Sequence, residues 1–575
     1  MKCKLMNKDI RRDYVKNLLR ERGVEDPDRF LNIGIDALGS YTDIEKVVDA
    51  GYVLFNVLKN NSKILLIVDC DCDGYTSSAI LYQYIKHINP NTEIDYLIHE
   101  GKQHGLEDHF EYLHNCNEIY DLVIIPDAGS NDAQYCEQLK ELSKNGFLIL
   151  DHHILEVEPS DNMIIVNNQI STDYKNKDLT GAGVVWQFCR YLDSVYKITY
   201  ANDLIDLAAL GICGDMGSML SEENQYIMKV GFNNIKNFMF KSLIEKQAYS
   251  MGNEVNPISV AFYIVPLINA MIRVGSLEEK TRLFEAFIDG ETLIPSKKRG
   301  ANGIPEKRAI ESVRECTNAK AKQTRLKDAA IDRIECKIFK EGLLDNKVLF
   351  IRLEEDDDFP PELNGLVAMG LMAKFNKPTI VAKLNEDGYI RGSARGLNNS
   401  ELESFRDFLM ESNLFEYNHG HNNAFGTSIL NSNLGMFHEY ANAALADMDL
   451  STDAYKVNFE RYAMEGDIEA IIADVDEHKA IFGTGNPEPL LYIKDINIKS
   501  NDIQIIGSKQ DTVKILYNGI VYIKFHANDL IEDLKKYNDI KLNIVGRGNM
   551  NVWMGRATPQ IIIDSYEVED NTYGF

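Results

Sequence analysis

From residue 63 onward, short apolar runs alternate with helix-length segments. Residues 64–68, 122–125, 147–150 and 163–166 are unbroken apolar stretches, and 94–98 is interrupted only by Asp95. Strands buried on both faces read this way, because neither face needs polar positions. Their alternation with helical segments predicts a doubly wound, parallel α/β sheet. Ahead of it, residues 1–60 predict a helical region, with Ile44, Val47, Val48, Tyr52, Val53, Leu54 and Phe55 at roughly helical spacing.

Further along, residues 202–345 predict a helical stretch, and a second α/β unit begins near Lys347 and runs to about residue 435. Residues 436–480 predict a charged connecting helix. Beyond Gly483, residues 490–493, 503–506, 512–517, 521–525, 542–545 and 560–563 read as short strands with turn signals between them. That pattern suits a small OB-like β-barrel. The expected regions are therefore 1–60, 61–225, 226–345, 346–435, 436–480 and 481–575. A chain of 575 residues is long enough for three or four cores.

Composition narrows the classes. At 45% hydrophobic and 26% charged residues the chain is ordinary for a globular protein. No apolar run approaches the ~20 residues of a membrane span, and the N-terminus lacks a signal-peptide core. Nine cysteines without a paired framework suit a reducing cytoplasm. The net charge of −27 argues against general coating of nucleic acid. Between Lys297 and Lys340, however, 13 Lys and Arg face 6 Asp and Glu. That segment is either a nucleic-acid track or a solvated helix face.

The chemistry collects where strands end. The run 64–68 stops in Asp69-x-Asp71-x-Asp73-Gly74. Alternation along extended chain would put the three carboxylates on one side, with Cys70 and Cys72 facing away as strand residues. Carboxylates held so close repel one another unless a cation lies between them. Ile98 is followed by His99, Lys102 and His104; Ile125 leads to Asp127, Ser130, Asn131 and Asp132; Leu150 runs into Asp151-His152-His153. Ligands bind at the carboxyl ends of strands in an open parallel sheet, so these ends converge on one crevice. Asp215, closing an apolar segment at Gly214, is a fifth candidate.

These residues carry a resemblance. Asp69-x-Asp71-x-Asp73-Gly74, Asp127-Ala-Gly, Asp151-His152-His153 and Gly214-Asp215, in that order, resemble the motif set of the DHH phosphoesterases. Segments around Gly181-Ala-Gly183, Pro266–Arg273, Arg391–Arg395, Gly420-His421, Gly483–Pro487 and Asn551–Arg556 resemble the RecJ single-strand exonuclease branch. Departures are His419-Gly420-His421 for the usual Gly-Gly-His, Pro266-Leu-Ile-Asn269 for Pro-Arg-Ile-Asn, and Gln103-His104-Gly105 for Gly-Tyr-Gly. Such divergence suits a phage-encoded member.

The resemblance implies a DHH domain, a long helical connector, a smaller α/β DHH-associated domain and a C-terminal OB-like barrel. It also implies two divalent ions, Mn²⁺ or Mg²⁺, which suit an oxygen-rich ligand set better than zinc does. One ion would take Asp69, Asp71 and Asp127, and the other Asp73, Asp127, His152 and Asp215. Asp151 would orient an imidazole, while His153, Lys102 and His104 would hold phosphate oxygens. Ser130, Asn131, Arg273, Arg395, Gly420, His421, Arg547, Trp553 and Arg556 are the candidate contacts to a single strand. The expected activity is metal-dependent 5′ to 3′ exonucleolysis of single-stranded DNA, releasing mononucleotides in recombination, repair or replication. Candidate partners are a single-strand-binding protein or a helicase. Alternatives are a DHH hydrolase of short oligonucleotides, cyclic dinucleotides or pyrophosphate, and a non-catalytic replication scaffold.

Overall fold

The computed structural model describes residues 2–6, 10–60, 62–101, 104–354, 359–398, 400–450, 454–553 and 555–571. It divides into two compact units. The first comprises Asn32–Arg325 with Ala480–Asn486, and the second Met1–Leu31, Leu326–Lys479 and Pro487–Phe575.

The first unit is built on the parallel sheet expected from the apolar runs. Its strands are β1 (Lys63–Val68), β2 (Glu93–Ile98), β3 (Leu122–Pro126), β4 (Phe147–Asp151) and β5 (Met163–Asn167). They pair entirely in parallel in the order β2-β1-β3-β4-β5. Leu65, Ile67, Val123, Ile125, Phe147, Ile149 and Ile165 form one buried face with Leu113, Leu139 and Leu142. Burying each such side chain contributes roughly 1.5–3 kcal/mol. The adjacent positions Ile64, Leu66, Val68, Ile124, Leu148 and Leu150 are buried as well, which is why these strands lack polar alternation.

Three helices of this unit converge at the strand ends: α1 (Cys72–Ile88), α2 (Gly181–Tyr196) and α3 (Ile205–Gly214). Their approach depends on missing side chains. A Cβ on Gly211 would collide with Asp73 Oδ1, Ala182 Cβ and Thr76 Oγ1, and a Cβ on Gly181 would collide with Asp127. Beyond them, Pro257–Val274 runs as one helical stretch containing a π-helical turn at Val260–Ile264. By length and composition this stretch could cross a membrane, which corrects the expectation that no apolar run approaches such a length. Most of it is buried inside the protein.

Among the described residues, the second unit holds two larger sheets and a two-stranded one. In the first, β6 (Leu349–Leu353) and β7 (Thr379–Leu384) pair in parallel. Antiparallel β8 (Tyr389–Arg395), β9 (Phe415–His421) and β10 (Ala424–Leu430) complete the order β9-β10-β8-β7-β6. The other sheet has seven strands, running from Phe459–Tyr462 at one edge to Ile503–Ile506 at the other. Its longest pair is the hairpin of β11 (Asp539–Trp553) and β12 (Arg556–Asp570).

Pairing partners explain where helical expectations fail. Residues 436–480 are not one helix. Leu434–Ala444 is followed by strands Ala454–Val457 and Phe459–Tyr462, then by helix Ile468–Glu477. Ala454–Val457 pairs in parallel with Lys2–Leu5, a strand inside the expected N-terminal helical region, and Phe459–Tyr462 pairs with Leu491–Lys499. Four-residue edge strands are made by distant partners and leave little periodicity of their own. The connector likewise contains a small hairpin of Leu293–Pro295 and Pro305–Lys307 before the 34-residue helix Arg308–Glu341.

Gly211→Ala should lower stability by about 1–3 kcal/mol through overpacking between α1, α2 and α3. Urea unfolding checks it: an unchanged midpoint would mean that the three helices can yield.

Candidate metal centre

The acidic turn is tighter than an extended strand. β1 ends at Val68, and α1 already begins at Cys72. Asp71 is the N-cap of α1, its Oδ1 accepting the Gly74 N–H at 3.0 Å, and Asp73 lies in the first helical turn. The alternation expected to run through Asp73 therefore stops at the cap. Only Gly fits at position 74, where a Cβ would meet the Asp69 backbone carbonyl at 2.7 Å. Cys72 is buried against Gly214, but Cys70 does not simply face away: its Sγ lies 3.9 Å from His104 Nδ1.

The other strand ends reach the same turn. Asp127, just past β3, adopts a left-handed φ of 67° and anchors its N–H on Leu150 O at 2.8 Å. Asp151 closes β4 and His152 follows it. Asp215 caps the C-terminus of α3. Ligand atoms of Asp69, Asp71 and Asp127 all lie within 4.8 Å of one another, as do those of Asp73, His152 and Asp215. The sets meet where His152 Nε2 lies 3.3 Å from Asp127 Oδ1 and 3.6 Å from Asp215 Oδ2. Buried oxygens usually have partners. Asp127 Oδ1 and Asp73 Oδ2 are buried with no hydrogen-bond partner among the described residues, which is what an oxygen-binding divalent cation requires.

Electrostatics agree with that fit. Burial, then Asp73, Asp71, Asp69 and Asp215, push the Asp127 carboxyl well above its usual range. Burial and neighbouring carboxylates also raise Asp71 and push Asp215 up to about 8. Asp73 is raised by burial, with His152 opposing. Burial and then His153 lower His152, leaving a neutral imidazole suited to ligation.

A polar layer holds these groups in place. Asp73 Oδ1 accepts from Thr180 Oγ1 and from the Ala182 N–H, both at 3.0 Å. Asp69 Oδ1 accepts the Gly105 N–H at 3.2 Å, and its Oδ2 lies 2.5 Å from His104 Nδ1. The fully buried His99 also faces Asp69, with Nε2 3.8 Å from Oδ1. Asp151 accepts the His152 and His153 N–H groups and His153 Nδ1 at 2.7 Å, while the Ser130 N–H donates to its other oxygen. Burial opposes it, but the Asp151 carboxylate pushes His153 up to about 9. Neither His99 nor Thr180 was assigned a role from sequence. His99 directly follows a strand end, and Thr180 sits in the Leu179-Thr-Gly181 segment.

Other candidates are placed differently. Ser130 is buried, with Oγ accepting from Asn167 Nδ2 at 3.0 Å. Asn131 bonds Ile154 O and the Glu156 N–H, so both residues brace the loop after His153. Arg273 is close enough to feel Asp71, although burial lowers its pKa. Lys102 lies outside the described residues. In the second unit, Arg395 and His421 both pair with Ala424 of β10, forming one row across three strands. Gly420 has φ 131°, and a Cβ there would meet Ala424 O at 2.9 Å. Arg547 lies on β11, 3.3 Å from Asp564, while Trp553 and Arg556 pair at the tip of the long hairpin. Within the basic 297–340 segment, Lys297, Lys307, Arg308, Arg314 and Lys327 are paired with acid, which makes those five less available to phosphate.

A parallel sheet with Asp and His converging at its strand ends defines a DHH-type fold and site, and sequence comparison agrees. Residues 63–212 match the DHH family, N-terminal domain, and residues 467–565 match the RecJ OB domain. The chain is 35% identical over 570 residues to the SPbeta prophage-derived protein YorK of Bacillus subtilis (strain 168), named as a single-strand DNA-specific exonuclease, covering 98% of this chain and 96% of that one. It is 23% identical over 525 residues to the single-stranded-DNA-specific exonuclease RecJ of the same organism, covering 89% and 62%. In fold it resembles RecJ of Thermus thermophilus solved with Mn²⁺, at TM-score 0.70 and 19% identity, over 95% of this chain and 74% of that one. The chain belongs to the RecJ family of DHH proteins.

Asp71, Asp73, Asp127, Asp215 and His153 are all raised in the folded state. Each contributes stability that is full below its unfolded pKa and is lost as pH rises through its folded value. Without divalent cations, the melting temperature should fall between about pH 7 and about pH 9, through the values near 8 for Asp215 and 9 for His153. Mn²⁺ should restore more stability at the higher pH. Equal stabilisation at both values, measured by thermal melts with chelator or Mn²⁺, would refute the cation–carboxylate coupling.

Proposed function

We propose that this protein is a metal-dependent exonuclease of single-stranded DNA, cleaving phosphodiester bonds from the 5′ end to release mononucleotides. The observation that carries the reading is Asp127, whose buried, unpartnered Oδ1 lies between the Asp69–Asp71 and Asp73–His152–Asp215 sets. Asp69, Asp71 and Asp127 would hold one divalent cation, and Asp73, Asp127, His152 and Asp215 a second. When bound, such a pair lowers the pKa of water and offsets charge on the attacking and leaving oxygens. Mn²⁺ or Mg²⁺ fits the hard, oxygen-rich donors.

The chain's own residues supply orientation and charge. Asp151 fixes His153 through Nδ1, leaving the protonated Nε2 to donate to a non-bridging phosphate oxygen. His104, pushed up to about 12 by Asp69, adds a second cationic donor beside the turn. Arg273 approaches from the helix that ends at Val274. In the second unit, the row of Arg395 and His421 and the close backbone at Gly420 suit a sugar-phosphate strand. The hairpin bearing Arg547, Trp553 and Arg556 is a further contact to single-stranded DNA. The relatives named as exonucleases support this reading, and the extra strand-rich domain weighs against a dinucleotide-sized substrate.

With Mn²⁺, the protein should degrade 3′-blocked but not 5′-blocked single strands. Digestion of pyrophosphate or dinucleotides alone would defeat the proposal. Asp127→Asn should reduce the rate more than ~100-fold, beyond the ~10–100-fold usual for losing an outer partner of a metal ligand. His153→Gln should lower kcat with Mn²⁺ affinity largely kept, measured by titrating the metal against single-turnover rate.

A further inference from the structure

One donor set on the wall of the crevice has a different chemical character. Cys70 Sγ lies 3.9 Å from His104 Nδ1, which lies 2.5 Å from Asp69 Oδ2, and the three ligand atoms fit within 4.8 Å of one another. Sulfur, imidazole nitrogen and one carboxylate oxygen form a set suited to zinc rather than to manganese or magnesium. A further imidazole lies beside the set: His99 Nε2 is buried, has no hydrogen-bond partner among the described residues, and faces the other Asp69 oxygen, Oδ1, at 3.8 Å. Access comes from the His104 side, where the imidazole is 54% exposed.

We propose that Asp69, Cys70 and His104 form a zinc-binding site and that zinc bound there inhibits the enzyme. Binding is a ligand exchange without redox change. The Cys70 S–H and the His104 imidazolium each lose a proton to solvent, and the freed lone pairs, with one Asp69 oxygen, coordinate Zn²⁺. Asp69 also belongs to the Asp69–Asp71–Asp127 set, so a zinc ion holding it takes a ligand from the proposed catalytic centre. Zinc outranks manganese at shared nitrogen and sulfur donors, so traces of zinc would compete effectively. Inhibition rests on the exonuclease reading, whereas the binding site does not.

The binding test uses the full chain and needs no activity. Titration with Co²⁺ should produce a thiolate-to-cobalt charge-transfer band that is absent in Cys70→Ser. With Mn²⁺ saturating, equilibrium dialysis should show zinc affinity falling by about tenfold or more in the same variant. A band that survives in Cys70→Ser, or unchanged zinc affinity, would overturn the site. In the cleavage assay, Cys70→Ser should keep the zinc-free rate within about twofold yet need about tenfold more zinc for half-inhibition. Equal zinc sensitivity in both proteins would overturn the regulatory role. An inactive wild type that still shows the Cys70-dependent band would instead defeat the exonuclease reading and leave the zinc site standing.

Discussion

Mutual repulsion among buried carboxylates is the constraint around which the catalytic unit is organised. Asp69, Asp71, Asp73, Asp127 and Asp215 share one crevice, and Asp69, Asp73 and Asp127 are almost wholly buried. Unpaired, such a group is costly to ionise, and the carboxyls of Asp71, Asp73, Asp127 and Asp215 shift upward toward the neutral form. The surrounding residues neutralise the cluster only in part, through His104 on Asp69 Oδ2. Elsewhere they anchor single oxygens: Thr180 and Ala182 hold one oxygen of Asp73, and Gly74 holds one of Asp71, while Gly105 takes the second oxygen of Asp69. The oxygens left over, Asp73 Oδ2 and Asp127 Oδ1, are buried without a hydrogen-bond partner among the described residues, as candidate donors to a divalent cation would be.

Helix packing turns this local arrangement into a rigid one. α1 begins inside the acidic turn, α2 begins beside Asp127 and Asp73, and α3 ends at Asp215. Gly181 and Gly211 let the three close on the carboxylates without intervening methyl groups. The same economy of space appears at β4, where Asp151 takes four donors and the Ser130–Asn167 bond braces the loop. The candidate ligands and their supports therefore come from strand ends and helix ends, where open parallel sheets bind their ligands.

Much of the catalytic unit was legible in residue order. Four strands of its sheet stand out as unbroken apolar runs because they are almost wholly buried, whereas the edge strand β2 is only partly buried and is interrupted by Asp95; each candidate ligand follows a strand or helix end. What misled was local conformation. Asp-x-Asp-x-Asp reads as continued strand, yet Asp71 caps a helix, since Gly74 permits a turn that a larger residue would block. Cys70 was expected to face away for the same reason. Residues 436–480 read as one charged helix because the short strands within them are held by Lys2–Leu5 and Leu491–Lys499, partners hundreds or tens of residues distant.

By itself, then, the sequence determined the sheet and the inventory of candidate ligands, because buried strands and clustered Asp and His leave unmistakable patterns. Only tertiary structure decided which carboxylate oxygens are anchored and which are left for a cation. It also decided that Thr180 holds Asp73 while His99 faces Asp69, that Ser130 and Asn131 brace a loop, and that Cys70 meets His104. Those outcomes depend on side-chain direction and on contacts between segments tens to more than a hundred residues apart, as between Thr180 and Asp73. No local periodicity encodes either.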